Sequence, residues 1–434
     1  MLCATIATAA YRAPMAIDHS FGQDGFAVVP PYLPGYTVHS TLGFVTLREG
    51  DYIYFSVQTV GAMQQLVTTR FDADGHLVTN WGIGGSNVYT LPFYYDAGIR
   101  LKVQSAADLQ EYIYIAGVSA SGGDLAYAVG VIRAYDGANY SFSQSAPYGY
   151  PALPLLHAQY ISGIYYSNGD MLFIGRGYNN AGGPGDVVDI FHAISDPPII
   201  DKSTSAWKEL TTPGLDVFEI GAEDHGAMPM AGHIGAQAAV IFYDTAIRGV
   251  VATNTFNLPC PVGAVPLWSA VDNATYYFIP AQTGYVVYGR SACSDGAETH
   301  TALMWMSTTP ANVLTPVWTV LFDDKGSSCA SQFACPSAYA DLVRGGPPTN
   351  RTVYALATTT NGALERVDLG RDLASPRMVG TETNRDDFAI YPSQILGAFI
   401  NSNTEATLVA TAVRNGQQGL ARIAIDRIFA DVSH

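Results

Sequence analysis

SFGQDGFAVVP, residues Ser20–Pro30, and NWGIGGSNVYT, residues Asn80–Thr90, are two copies of one pattern sixty residues apart. Phe21 falls on Trp81, Gly22 on Gly82, Gly25 on Gly85 and Val28 on Val88. In each copy an aromatic-Gly pair and a second glycine three residues on precede an apolar run. Glycines so spaced supply backbone positions of positive φ, so the pattern predicts a turn that opens a β-strand.

The neighbouring sequence repeats on the same period. Asp51–Val57, DYIYFSV, is matched at Glu111–Gly117, EYIYIAG, and a third copy, MLFIGRG, follows Asn168-Gly169-Asp170. The run Arg70–Gly75, RFDADG, is echoed by the turn at Tyr135-Asp136-Gly137, and Ser141-Phe142 stands near where a third Phe-Gly is due. Runs rich in Tyr, Val, Thr and Phe at Tyr36–Leu47, Asp51–Val57 and Gln65–Phe71 alternate with polar turns, which predicts an antiparallel sheet of four short strands per unit. Ala239–Tyr243, Gly284–Tyr288, Thr352–Leu356 and Ala406–Ala410 are further candidates for the DYIYFSV-type strand. With the first three they number seven, spaced by about sixty residues on average.

Four-stranded sheets repeated seven times predict an all-β fold, a seven-bladed β-propeller. The last unit holds Ile395–Phe399, Thr407–Val413 and Gly419–Ile425 and is one strand short, while Ala16–Pro30 carries a strand before the first unit begins. The N-terminal strand is therefore expected to complete the last blade, which would remove two open sheet edges. On this reading residues 1–15 are an N-terminal tail or the remnant of a signal, and 16–434 form a single propeller domain.

Composition agrees with β-structure. The chain of 434 residues exceeds the usual limit for one hydrophobic core, about 250–300 residues. Charged residues make up 13% against about 25% in an ordinary domain, while Tyr (27) and Gly (43) are abundant. The net charge of −16, with no run of cations, excludes nucleic acid and disfavours anionic membranes as partners. No apolar run reaches the roughly 18–20 residues that span a bilayer. Leu2–Ala10, LCATIATAA, resembles the latter half of a secretory signal without its basic start, or an exposed tail.

Cys260, Cys293, Cys329 and Cys335 all lie in Pro-, Gly- or Ser-rich, turn-like surroundings. Two disulfides are expected, Cys329–Cys335 and Cys260–Cys293, with Cys3 left over. A zinc site is disfavoured, because no CxxC pair or nearby histidine completes a tetrahedron. Disulfides imply an oxidising compartment, hence a secreted or cell-surface protein.

The segments IDHSFGQDGFAVV and RFDADGHLVTNWGIGG resemble the bacterial delta-60 repeat, through Arg70-Phe71-Asp72-Ala73-Asp74-Gly75, Trp81-Gly82-Ile83-Gly84-Gly85 and Asp18-His19-Ser20-Phe21-Gly22. The likeness covers about the first 150 residues. It implies a propeller-like repeat in bacterial surface or secreted proteins and carries no catalytic assignment.

Candidate chemistry rests on position. If the strand before each DYIYFSV-type strand lines a central channel, His39, Arg100 and His157 stand near the starts of three successive inner strands. His225 and His233 follow in the fourth unit, in EDHGAMPMAGH. Imidazoles there could bind a metal or act as general base, and Arg100 could bind a carboxylate. Asp72-Ala73-Asp74-Gly75 lacks the remaining ligands of a calcium loop and reads as a tight turn. No GxSxG, Gly-Lys-Ser/Thr or HExxH motif occurs, and no cofactor is implied. Three functions fit: a secreted or surface binding module for carbohydrate or protein, a secreted lyase or hydrolase of an acidic polysaccharide using the channel-mouth histidines, or a scaffold in an extracellular assembly.

Overall fold

The computed structural model of the chain describes residues 16–89, 99–105, 110–121, 124–143, 157–167, 170–178, 184–194, 200–210, 214–220, 227–244, 246–247, 249–279, 282–295, 299–321, 340–345, 352–358, 364–370, 377–382, 388–402 and 405–427. Among them the regular elements are all strands, and these form seven antiparallel sheets, six of four strands and one of five.

Six sheets are simple meanders. The first holds Tyr36–Thr46, Tyr52–Val60, Met63–Phe71 and Ser86–Tyr89; the second holds Ile99–Ser105, Glu111–Ser121, Asp124–Arg133 and Asn139–Ser143. The third runs from His157–Ser167 to Ile200–Leu210. The fourth comprises Leu215–Ile220, Ala227–Ile234, Gln237–Asp244 and Gly249–Phe256; the fifth comprises Pro266–Ile279, Gln282–Cys293, Thr299–Thr308 and Leu314–Leu321. The sixth runs from Ala340–Gly345 to Arg377–Glu382. The seventh sheet supplies three strands of its own, Phe388–Ser402, Glu405–Arg414 and Gln417–Arg427. Its remaining two come from the N-terminus: Ala16–Ile17 pairs with Ile423–Ala424, and Phe26–Val28 with Gly419–Ala421. The first strand of each sheet touches the first strand of the next, and that of the seventh touches that of the first.

The repeated sequence pattern folds twice into the same turn. Phe21 and Trp81 each accept a backbone hydrogen bond at their carbonyl, from Gly25 (2.8 Å) and Gly85 (3.0 Å). Gln23 and Ile83 donate to the carbonyls of Phe26 and Ser86, both at 2.8 Å. Gly25 and Gly85 stand at φ 89° and 94°, a conformation that side chains resist, so glycine is required at both.

The turn also explains how the sheets join. Trp81, on the outer edge of the first sheet, is 3% exposed and donates from Nε1 to the carbonyl of Ala134 in the second sheet (3.1 Å). Its ring covers Gly137, where an added Cβ would come within 2.7 Å of Trp81 Cζ2. Phe21 covers Gly75 of the first sheet in the same way, at 2.8 Å. Arginines reinforce both seams. Arg70 is held by Asp51 (2.8 and 2.6 Å) and reaches the carbonyl of Tyr135 (3.3 Å), two residues before Gly137. Arg422 is held by Asp18 (2.8 Å), reaches the carbonyl of Ala73 (3.0 Å), two residues before Gly75, and stacks over Phe21 at 5.0 Å. The aromatic-Gly turn of one sheet thus receives the Asp-Gly turn of the next. Apolar side chains fill the space beneath: Phe21, Phe44, Tyr52, Tyr54, Val409 and Leu420 at one seam, Ile53, Phe55, Ile113, Ile115 and Ile132 at the other.

Two details differ from the expectation. Ala239–Tyr243 belongs to the third strand of the fourth sheet, and the DYIYFSV-type second strand is Ala227–Ile234, AMPMAGHI. Its proline and methionines hide the β-branched pattern. Among the described residues, the last pair with the inner strand is Ile220–Met230, and Pro229 pairs with Phe242. In the second sheet no Phe-Gly turn intervenes, and the chain passes from the turn at Asp136-Gly137 directly into Asn139–Ser143.

Candidate functional site

The start of a first strand is met by the turn between the second and third strands of the preceding sheet. Ser269, near the start of Pro266–Ile279, donates its amide to the carbonyl of Ala236 in the fourth sheet (2.9 Å). Gln418, beside the corresponding turn of the seventh sheet, bonds Thr41 Oγ1 (2.7 Å) and the carbonyl of His39 (3.4 Å) in the first. This edge of the molecule is where the sequence places its candidate residues.

The structure separates several of them in depth. His157 pairs with Tyr178, the last residue of its second strand. Asp216 pairs with His233, one residue before the end of Ala227–Ile234. His39 is exposed and sits in a bulge between Val38–Gln58 and Ser40–Val57, about two residues deeper. Arg100 pairs with Ala116, five residues before Ser121 ends its strand. Counted from Glu111 and Asp170, which open the two second strands, the Arg100 pair lies about three residues, roughly 10 Å, short of the His157 pair. His225 lies outside the described residues, and the strand that follows it begins at the end of the fourth sheet away from Leu215.

His233 is the one candidate with a defined polar environment. It is 4% exposed, its Nδ1 donates to the carbonyl of Gly235 (3.0 Å), and its Nε2 faces Asp216 Oδ2 at 3.3 Å. Its ring leans on Phe218 (5.4 Å), whose other neighbour is the guanidinium of Arg290 at 6.0 Å. Sequence reasoning missed Arg290. It is fully buried in the fifth sheet and makes a two-pronged bond with Asp272, both contacts 2.7 Å. Each charge answers the other, so the pair ties the first and second strands of the fifth sheet and leaves neither group free for a ligand.

Farther along the same strands, the loop from Leu258 to Pro266 is fixed at both of its ends. Cys260 is joined to Cys293 with Cα atoms 5.9 Å apart. Leu258 donates its amide to Ser269 Oγ (3.2 Å) and Ser291 Oγ donates to the carbonyl of Pro259 (3.1 Å). Val265 and Ser294 exchange two bonds, 3.0 and 2.9 Å. The loop so held presents Val262 and Val265 to solvent, 108% and 60% exposed, and Leu267, the second residue of Pro266–Ile279, is 57% exposed. No sequence signal marked these three, since isolated apolar residues in a Pro-Gly loop carry no period. Cys3, Cys329 and Cys335 lie outside the described residues. Among the described residues, Cys293, Asp295 and His300 bring ligand atoms within 4.8 Å of one another, but Cys293 is spent in the disulfide and offers no thiolate. No helix among the described residues is long and apolar enough to cross a membrane.

A scan against protein-family models finds no match, and neither does a search of curated proteins. Solved structures with similar folds include one described as the Dos1 propeller, 11% identical with a TM-score of 0.46 over 94% of this chain and 98% of that one. A Lactobacillus plantarum protein is 14% identical, TM-score 0.45, over 80% and 85% of the two chains. A Penicillium chrysogenum alpha-L-arabinanase complexed with arabinobiose is 11% identical, TM-score 0.44, over 77% and 94%. At these values the likeness assigns no activity to this chain.

Proposed function

We propose that residues 16–434 form a seven-bladed β-propeller closed by the N-terminal strands, belonging to the delta-60 type of repeat, and that it serves as a secreted or cell-surface binding module for a protein partner. Seven sheets in sequence, each touching the next through its first strand and the seventh touching the first, support the ring. The disulfide supports an oxidising compartment.

The observation that carries the binding reading is the pinned loop. Three exposed aliphatic side chains on a segment fixed by a disulfide and four hydrogen bonds form a surface whose ordering has already been met by the fold, which favours association. Aliphatic groups suit a protein surface; sugar rings are met by aromatic platforms, and the nearby Trp268 is only 8% exposed. The buried Arg290–Asp272 pair beside the loop, with both contacts at 2.7 Å, suits a rigid mount and not a reactive centre.

The test is site-specific photocrosslinking. A photoreactive residue at position 262 is compared with one at Ile247, which is exposed on the turn at the other end of the fourth sheet. The expected result is one crosslinked protein from position 262, none from 247, and loss of the product in Leu267→Asp. Binding of an oligosaccharide, or cleavage of a uronate polymer that is lost in His233→Ala, with no crosslink, would overturn the reading.

A further inference from the structure

We infer that opening the Cys260–Cys293 disulfide creates a metal site from Cys293, Asp295 and His300, so that the redox state of one bond decides whether the protein holds a divalent cation such as zinc. The three side chains come from one short stretch of the fifth sheet. Cys293 ends its second strand, Asp295 sits in the turn, and His300 opens the third strand. Their ligand atoms already lie within 4.8 Å of one another.

Two features point to a ligand. Nε2 of His300 is buried without a hydrogen-bond partner, although the residue is 8% exposed and the atom lies 3.3 Å from Asp295 Oδ2. A buried ring nitrogen so placed is an uncommon state, since such atoms are ordinarily satisfied. That separation is also the edge of a tetrahedron whose two ligands lie about 2.0 Å from a central zinc. A thiolate, an imidazole and a carboxylate form a mixed set that suits zinc or cobalt and leaves a fourth position for water.

The disulfide gates the site because a sulfur bonded to sulfur cannot act as a thiolate ligand. Its two halves differ in access: Cys293 is fully buried, while Cys260 is half-buried on the loop. A dithiol reductant would attack Cys260 Sγ as thiolate. The S–S bond breaks, Cys293 leaves as thiolate, and the reductant is joined to Cys260 as a mixed disulfide. The reductant's second thiol, once deprotonated, then displaces Cys260 as thiolate and becomes a cyclic disulfide. Two electrons pass to the protein, and the thiolate of Cys293 is left beside His300 and Asp295.

The experiment is cobalt(II) titration of the full chain, followed by the thiolate-to-cobalt charge-transfer absorption, with zinc competition. The wild type is measured oxidised, and again after dithiol treatment and removal of the reductant without air. Cys260→Ser, Cys293→Ser and His300→Ala are compared, and a near-ultraviolet circular dichroism spectrum shows that each is folded. The oxidised wild type is expected to give no charge-transfer band, and the reduced wild type one equivalent. Cys260→Ser is expected to give the same band with no reductant, because its Cys293 has no partner. Cys293→Ser should lose that equivalent, and His300→Ala should weaken it about tenfold or more. A folded Cys260→Ser or reduced wild type without the band, or a band that persists in Cys293→Ser, overturns the inference. Should Cys260→Ser not fold, the reduced wild type decides alone.

Discussion

At the seam between the first and second sheets, Trp81 lies over Gly137 and Arg70 reaches the carbonyl of Tyr135. At the seam between the fourth and fifth, no aromatic-Gly turn is present. There Asn254 gives its amide to the carbonyl of Asn312 (2.9 Å) and accepts the amide of Leu314 (2.9 Å), while Phe242 packs edge-on to Tyr285; Arg290 bonds Asp272 within the fifth sheet. Both seams fasten the outer strand of one sheet to the turn between the third and fourth strands of the next. The first relies on a ring and on glycine backbone, so it can be written only with particular residues at particular spacings. The second relies on a side-chain amide and an aromatic contact, which many sequences could replace.

The largest expected effect lies inside the fifth sheet, beside the second seam. Arg290→Ala leaves the buried Asp272 without its partner and should lower stability by about 3–5 kcal/mol in urea unfolding. The double change Arg290→Met with Asp272→Leu should recover much of that, because the pair's net contribution is small once both charges are gone. If the single change proves neutral, the pair is not the cross-strand tie described. At the first seam Trp81→Ala should cost about 3–5 kcal/mol through the cavity it leaves, and Trp81→Phe about 1–3 kcal/mol with the bond to Ala134. Asn254→Ala removes three backbone contacts, those to Asn312 and Leu314 and a longer one to Val240 (3.4 Å), and should cost about 1–3 kcal/mol. Asn254→Ala exceeding Trp81→Ala would reverse the ranking of the two fastenings.

The smallest effect is in acid. Burial alone would raise the Asp18 carboxyl, but the hydroxyl and amide of Ser20 and the charge of Arg422 outweigh it, so the folded value lies below the ordinary one. The folded state therefore holds this proton less readily than the unfolded chain. Its contribution is complete above the unfolded value of about 3.9 and drains away as the pH falls below it. Between about pH 6 and pH 3 the thermal midpoint should fall further in the wild type than in Asp18→Asn. Equal falls would remove Asp18 from the seam's energetics.

The contrast also explains what could be read in advance. The strand count and the N-terminal strand's place were legible because Phe21, Gly25, Trp81 and Gly85 answer backbone requirements that permit few alternatives. The fourth sheet was misread by one strand because Pro229 and two methionines replace the β-branched run. Arg290 and Asp272 carry no sequence mark, for their meaning comes from a bulge between Val271 and Asn273 that places the carboxylate within reach. His39, Arg100 and His157 were expected near the starts of inner strands and are the fourth, second and first residues of Tyr36–Thr46, Ile99–Ser105 and His157–Ser167, but what they would bind has no mark in the sequence. Cys260–Cys293 was readable from its turn-like surroundings, but the exposed Val262, Val265 and Leu267 were not.

The central claim is that the first described residues and the last belong to one sheet. Ala16 and Ala424 are paired across that sheet, and directly opposed Cα atoms in antiparallel strands lie about 4.5–5.5 Å apart, within the span of a disulfide. The measurement is oxidation of the folded double variant Ala16→Cys with Ala424→Cys, followed by proteolysis and mass spectrometry of the linked peptides. An intramolecular bond between positions 16 and 424, with a raised unfolding midpoint, is the predicted result. Two free thiols at those positions in a folded protein would contradict it.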